Sequence, residues 1–403
     1  MIRGANYADD VTTTTFLVTA SGPDRQGVGA KLFEAIQQLP SGSCEINDVA
    51  QITIRGYLVL CVEVTVDASE TAEGLRERAV RTGAVGDGID VTVAAVEPGD
   101  FVNGKRLLVT FLAPSITSSA LRILFEAIAA SNATCERIVH LASYPVDCYE
   151  LVVRGPNHGV LREALTQAAG EAHVDIAVQR AGLHRRSKHL VVMDADSTLL
   201  QDEVIDLLAE RSGHADEVAA ITAAAMAGEI DFAEGLRQRV ALLRGLPASV
   251  LDDVRAQLRL TPGARTLLRT LQRLGYVPAV VSGGFTEVLA PLLADLGVDL
   301  LEANHLEIVD GQLTGYLASA VVDRAGKARA LVRFANDIGV PLQQTVAVGD
   351  GANDIDMLSI AGLGIAFNAK PVVREHADAA LSVPYLDAVL YFLGISREEI
   401  EAE

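Results

Sequence analysis

The sequence predicts an α/β chain in three parts: two small ferredoxin-like βαββαβ modules, then a larger domain on a Rossmann-like parallel sheet with a helical cap. Three observations carry that reading. The chain has 403 residues, half of them hydrophobic, which is more than one core ordinarily organises. A strand–helix pattern near the N-terminus recurs after a shift of about 90 residues, as a duplicated unit does. Further on, the apolar runs His189-Leu190-Val191-Val192 and Val346-Ala347-Val348 lead straight into clustered acids. Runs of that kind read as buried parallel strands, and open α/β sheets bind ligands at the C-terminal ends of such strands.

The first module spans 11–97. It reads as a strand over 15–20, a turn over 21–27 and a helix to about residue 38. Strands at 46–54 and 57–66, a charged helix at 70–81 and a strand at 89–96 complete it. In the turn Gly22-Pro23-Asp24-Arg25-Gln26-Gly27, Gly27 permits close backbone approach, and free N–H groups at the helix start suit a carboxylate. Asp24 is placed to cap the same turn. The second module, 104–181, repeats the order: strand 106–112, helix 118–131, strands 134–142 and 148–153, helix 158–169 and strand 174–179. Its equivalent loop, Ala113-Pro114-Ser115-Ile116-Thr117-Ser118, has neither the glycines nor the aspartate.

The third domain covers 188–396. After Leu200 the period turns helical over 203–211, 216–227, 232–243 and 248–258. Strand-like residues resume only at Val277-Pro278-Ala279-Val280-Val281. A helical insert over about 203–265, between the first and second strands, is placed to cap the strand ends, exclude water and select substrates.

Composition narrows the partners. A net charge of −20 argues against nucleic acid or an anionic membrane as the main partner. No apolar run is long enough to span a bilayer. Residues 1–10 lack a basic start followed by an apolar core, and Cys44, Cys61, Cys135 and Cys148 show no C-x-x-C spacing. Buried free thiols in a reducing cytoplasm are expected. The run His184-Arg185-Arg186-Ser187-Lys188 reads as a solvated linker.

Four elements carry chemistry. Asp194 and Asp196 leave the end of the first strand, Asp194 as candidate nucleophile and Asp196 as candidate acid and base, with the Thr198 hydroxyl holding the turn. Ser282-Gly283-Gly284 offers a hydroxyl and unobstructed N–H groups to phosphoryl oxygens. Lys327 opens a helix and can neutralise charge on a phosphoryl group. In Gly349-Asp350-Gly351-Ala352-Asn353-Asp354, Asp350 is a candidate ligand for Mg²⁺ beside Asp194. Asp354 braces the lysine or a metal-bound water, and Asn353 can reach substrate. Clustered carboxylates repel unless a hard cation holds them. The spacing of a calcium-binding EF-hand loop is absent.

Taken in order, these elements resemble the haloacid dehalogenase superfamily of phosphohydrolases. The likeness is closest to its phosphoserine phosphatase family, through 194–203, Phe232-Ala233-Glu234-Gly235-Leu236-Arg237-Gln238-Arg239-Val240, 281–285 and 348–354. The two N-terminal modules resemble ACT domains, regulatory modules that commonly bind amino acids. The resemblance implies an Mg²⁺-dependent phosphoric monoester hydrolase that turns O-phospho-L-serine into L-serine and phosphate through an aspartyl-phosphate, as the last step of serine biosynthesis. Asp194, Asp350 and the backbone carbonyl of Asp196 would hold the metal. Ser282, Gly283 and Lys327 would hold the phosphoryl group. Glu203 would take the substrate ammonium and Arg239 its carboxylate, a zwitterion needing one charge of each sign. Met226 and Phe232 match apolar cap positions. Gly22, Asp24 and Gly27 match the ACT ligand loop, with serine the expected effector, and pairing of modules between chains implies a homodimer. Two other readings stay open: transfer of the phosphoryl group to an alcohol, and an amino-acid-responsive regulator with a degenerate catalytic domain.

Overall fold

The structure is a computed structural model that describes residues 13–39, 44–96, 104–155, 157–182, 185, 187–226 and 229–402. The chain divides into two compact units, 1–101 and 102–403. The module limits expected at 11 and 97 lie outside the described residues.

The first unit holds β1 (Thr13–Pro23), β2 (Cys44–Ile54), β3 (Tyr57–Asp67) and β4 (Asp90–Ala95) in the antiparallel order β2-β3-β1-β4. Helices Val28–Gln37 and Ala72–Arg81 lie in the βαββαβ positions. Strand alternation sends Phe16, Val18 and Ala20 inward with Leu58, Leu60 and Val62, where they meet Leu32, Ile36, Leu75 and Ala79. The turn after β1 is shorter than expected. Ser21, Gly22 and Pro23 continue the strand opposite Val59, Leu58 and Tyr57, and Pro23 takes the strand's last place, where a missing N–H is tolerated. Gly22 is required by packing, since a Cβ there would come within 2.9 Å of the Ile89 Cα. Gly27, at φ 87°, is the helix N-cap, and no side chain caps it. Asp24 therefore does not play the capping part expected of it; its N–H donates to the Gly56 carbonyl at 2.8 Å.

The second unit begins with β5 (Lys105–Ala113), β6 (Thr134–Ala142), β7 (Asp147–Gly155) and β8 (Asp175–Arg180), with helices Ser118–Ala130 and His158–Ala172. It continues through β9 (Leu190–Met193), β10 (Val277–Phe285), β11 (Leu300–Asn304), an unforeseen hairpin of β12 (Leu306–Val309) and β13 (Gln312–Leu317), then β14 (Thr345–Gly349), β15 (Gly364–Phe367) and β16 (Ala379–Leu381). All but the hairpin join one ten-stranded sheet, β11-β10-β9-β14-β15-β16-β8-β5-β7-β6. Strands β9 to β11 and β14 to β16 run parallel. Their order places the reversal of winding between β9 and β14, where a doubly wound sheet opens a crevice. Helices Val204–Ser212, Ala215–Met226, Phe232–Ala241 and Val250–Arg255 form the insert. Its two connections to the sheet are tied by a Leu200–Leu260 bridge and by the Thr261 hydroxyl donating to the Thr198 carbonyl at 2.7 Å. Among the described residues no helix is long and apolar enough to cross a membrane.

The second module and the parallel domain are joined where β8 meets β16, antiparallel at Ala177 and Ala379. Arg162 pairs with Asp378 at 3.0 Å, Arg374 with Asp175 at 3.2 Å, and Gln179 donates to the Phe392 carbonyl at 2.8 Å. The join gives an otherwise raw strand edge a partner. It also overturns the reading of the basic run. Arg185 is buried against Glu150 and Gly394, and Lys188 is buried with Nζ donating to the carbonyls of Gln343 at 2.6 Å and Thr345 at 3.3 Å. A buried cation needs partners inside the protein, which Glu150 and the two carbonyls supply here. His184 and Arg186 lie outside the described residues. The four cysteines are free thiols, but only Cys148 is buried.

Burial pulls the Lys188 ammonium down from 10.5 to about 8, against the opposing charge of Asp378. Between those values the unfolded chain binds this proton and the folded chain does not, so this group's contribution to stability rises with pH. The unfolding free energy of the protein relative to Lys188→Met should climb between pH 8 and 10 in urea titrations. A flat difference would contradict this account of Lys188.

Candidate active site

Asp194 stands just beyond β9, its N–H bonded to the Val348 carbonyl of β14 at 2.9 Å. One carboxylate oxygen accepts from the Ala195 N–H at 2.8 Å, and the other lies 2.8 Å from Lys327 Nζ. Lys327, in the first turn of the helix Arg324–Asp337, is fully buried and also meets Asp354 at 2.8 Å. Asp354 in turn accepts from the Gly351 N–H at 3.0 Å. Gly349 has to be glycine here, because a Cβ would overlap the Asp354 carboxylate. The lysine is thus no solvated helix-start residue; two carboxylates hold it in the interior.

Carboxylate oxygens of Asp194, Asp350 and Asp354 lie within 4.8 Å of one another. The Asp196 carboxylate is not in this group. Ser197 takes a left-handed φ of 55°, and one Asp196 oxygen accepts from the Val204 N–H at 3.0 Å while the other is 3.4 Å from Ser282 Oγ. Two acids two residues apart therefore hold different hydrogen-bond partners. Thr198 also differs from expectation, donating its hydroxyl to Asp350 at 3.0 Å.

The electrostatics follow from burial and crowding. Burial raises Asp194 well above the usual carboxylate range, Asp354 adds to the rise, and Lys327 opposes it. Burial lifts Asp196 to about 7, with the Glu203 charge adding and the Val204 N–H opposing. Asp350 reaches about 6 through burial and Asp354, against the Thr198 hydroxyl. Burial works to lower Lys327, yet Asp194 and Asp354 outweigh it and raise the ammonium above its ordinary value. Three close acids and one ammonium leave an excess of negative charge among hard oxygen donors, a set that fits a divalent cation such as Mg²⁺.

Ser282 is fully buried at the end of β10, and its oxygen accepts from the Gly284 N–H at 2.8 Å. Phe232 faces Gly283, whose added Cβ would sit 3.5 Å from the ring. On the cap, Glu203 is exposed at the start of the helix Val204–Ser212 and accepts from Ser197 at 2.8 Å. Arg239 is buried, with Nε donating to the Gly235 carbonyl at 3.3 Å and Nη1 3.4 Å from Thr222 Oγ1. Among the described residues no carboxylate pairs with it within 4.0 Å. Burial lowers its pKa, opposed by the charges of Asp206, Glu203 and Asp196. Asn353 is half-buried beside Asp354. Met226 ends its helix, and its side chain lies outside those described.

Known proteins resemble this chain in each of its parts. The haloacid dehalogenase-like hydrolase family model matches residues 191–359, and two ACT domain models match 14–87 and 107–179. A phosphoserine phosphatase of Streptomyces coelicolor is 52% identical over 99% of this chain and 96% of its own. One from Mycobacterium tuberculosis is 50% identical over 96% of this chain and 94% of its own. The chain belongs to the phosphoserine phosphatase family. A crystal structure of a probable phosphoserine phosphatase from Vibrio cholerae, unliganded, is similar with a TM-score of 0.57 at 31% identity, covering 73% of this chain and 89% of that one.

As a member of the phosphoserine phosphatase family the chain is a phosphoric monoester hydrolase. One site residue escaped the sequence reading. Asn304, fully buried at the end of β11, donates to the Gly283 carbonyl at 2.8 Å and accepts from the Val322 N–H at 2.8 Å. Its only sequence signal is an amide closing a short strand that also carries Glu302.

Proposed function

We propose that the chain is an Mg²⁺-dependent phosphatase that hydrolyses O-phospho-L-serine to L-serine and phosphate through an aspartyl-phosphate on Asp194. The observation that carries this is Lys327, sealed between Asp194 and Asp354 at the β9–β14 crevice and beside Asp350. Both full-length relatives bear the name of that activity.

Asp194 oxygen attacks phosphorus as the P–O bond to the serine side chain breaks, and Asp196 gives its proton to the departing oxygen. A carboxyl lifted by burial toward neutrality suits a group that must give and then take a proton. Asp196 next takes a proton from water, whose oxygen attacks phosphorus and releases Asp194. Asp194, Asp350 and the Asp196 carbonyl would hold Mg²⁺, which would supply positive charge against the acids and the phosphoryl oxygens. Ser282, the Gly283 N–H, Lys327 and Asn353 hold the phosphoryl group, and Asp354 braces Lys327. Glu203 takes the ammonium and Arg239 the carboxylate, with Met226 and Phe232 as apolar neighbours. A buried guanidinium without a carboxylate of its own is poised for one from outside.

The domains run over 11–97, 104–181 and 188–396, with the cap over about 203–265. The enzyme works in the cytoplasm, in the last step of serine synthesis. Free amino acid, serine first, acts through the first module at Gly22, Asp24 and Gly27. A homodimer forms through the sheet face opposite the helices, where Leu17, Ile52, Ile54 and Tyr57 are 37–63% exposed.

Asp194→Asn should abolish phosphate release while the far-ultraviolet circular dichroism is retained, and a chelator should silence the wild type. Turnover in either case would remove Asp194 or the metal from the mechanism. Arg239→Ala should lower kcat/KM for phosphoserine by about 10²–10³-fold, as loss of a buried charged contact does, and that for p-nitrophenyl phosphate by less than about tenfold. Equal losses on both substrates would dispose of the carboxylate grip. Gel filtration should give a dimer, and serine titrated into the assay should change the rate; a monomer, or a rate indifferent to every amino acid, would reject the regulatory arrangement.

A further inference from the structure

Ser282 has one hydroxyl proton, and the direction it points decides whether it meets a phosphoryl oxygen. The geometry points to Asn304 as the positioning residue that sets this direction, an inference that rests on the proposed role of Ser282. A continuous hydrogen-bond relay connects them. The Val322 N–H donates to Asn304 Oδ1, Asn304 Nδ2 donates to the Gly283 carbonyl, the Gly284 N–H donates to Ser282 Oγ, and Ser282 Oγ faces Asp196.

Each link constrains the next. The Gly283 carbonyl and the Gly284 N–H belong to one planar trans peptide and point in opposite directions. Holding the carbonyl from one side therefore turns the N–H toward Ser282 on the other. A hydroxyl whose oxygen already accepts at 2.8 Å keeps its proton for donation. The present acceptor, Asp196, is 3.4 Å away, a long contact that an incoming phosphoryl oxygen can replace. Asn304 and Ser282 are both fully buried, so water cannot stand in for a lost link without entering the core. Gly284 completes the arrangement, since a Cβ there would press to 3.0 Å from Asp196 Oδ2 and 3.1 Å from Ser282 Oγ. Val322 immediately precedes Asp323, the N-cap of the helix that carries Lys327. Asn304 thus fixes the phosphoryl-binding turn to the backbone that delivers the buried ammonium.

A double-mutant cycle tests this on the full-length protein, with kcat and KM for phosphoserine measured for the wild type, Asn304→Ala, Ser282→Ala and the pair. Asn304→Ala should lower kcat by about 10- to 100-fold, as misplacing a reacting contact does, with KM changed less than about threefold. In the Ser282→Ala background the same substitution should cost less than about threefold, because the hydroxyl it orients is gone. Losses that multiply would overturn the relay while leaving the site intact. A Ser282→Ala enzyme as fast as wild type would instead overturn the proposed role of Ser282 itself. If Asn304→Ala fails to fold, Asn304→Asp replaces it. That variant keeps the acceptor for Val322, and only its protonated form can donate to Gly283. Its rate relative to wild type should fall as pH rises, and a ratio independent of pH would overturn the inference.

Discussion

The ion pairing of Lys327 with Asp194 and Asp354 is the constraint on which the site depends. A buried ammonium is costly, and so is each buried carboxylate; together they are tolerable because every charge has a close opposite. The arrangement fixes three separate pieces of chain at once: the end of β9, the loop after β14 and the first turn of the helix 324–337. Parallel strand order brings the first two side by side. The glycine at 349 then allows the acid at 354 to fold back over its own loop. Negative charge still exceeds positive, so the cluster is built to be completed by a cation.

Around that centre the turn Ser282-Gly283-Gly284 is held largely by backbone hydrogen bonds. Ser282, Gly283 and Gly284 sit where β10 ends, tied through Asn304 to the segment leading into the lysine helix. The cap contributes charges of both signs, Glu203 held by Ser197 on the core side and Arg239 buried within its own helix. The cap meets the rest of the domain at the paired connections near Leu200 and Leu260, at the Pro247–Gln312 bridge to β13 and at the Val204 N–H that donates to Asp196.

Much of this was legible in the sequence because the deciding patterns are local. Strand alternation in the first module, helical period in the cap and apolar runs ending in acids each declare themselves within a dozen residues. The roles of long-range partners were not legible. Nothing near Thr198 in the sequence indicates that its hydroxyl serves Asp350, 152 residues away. Nothing near Arg185 names Glu150, and Asn304 looks like an ordinary polar residue until Gly283 and Val322 are folded onto it. Ser197 takes a left-handed φ between Asp196 and Thr198, a backbone choice that a non-glycine sequence does not announce.

The shared sheet has a consequence for how the molecule can be dissected. Ala177 opposite Ala379, with Arg162 and Arg374 reaching across on either side, makes the second module a covering for the catalytic sheet's outer margin. Its loop, Ala113–Ser118, differs from that of the first module, although both modules match ACT domain models. Removing the second module altogether would leave β16 without its neighbour at Ala379, an edge open to other strands. A cut ahead of β5, after the first module rather than the second, leaves this join whole.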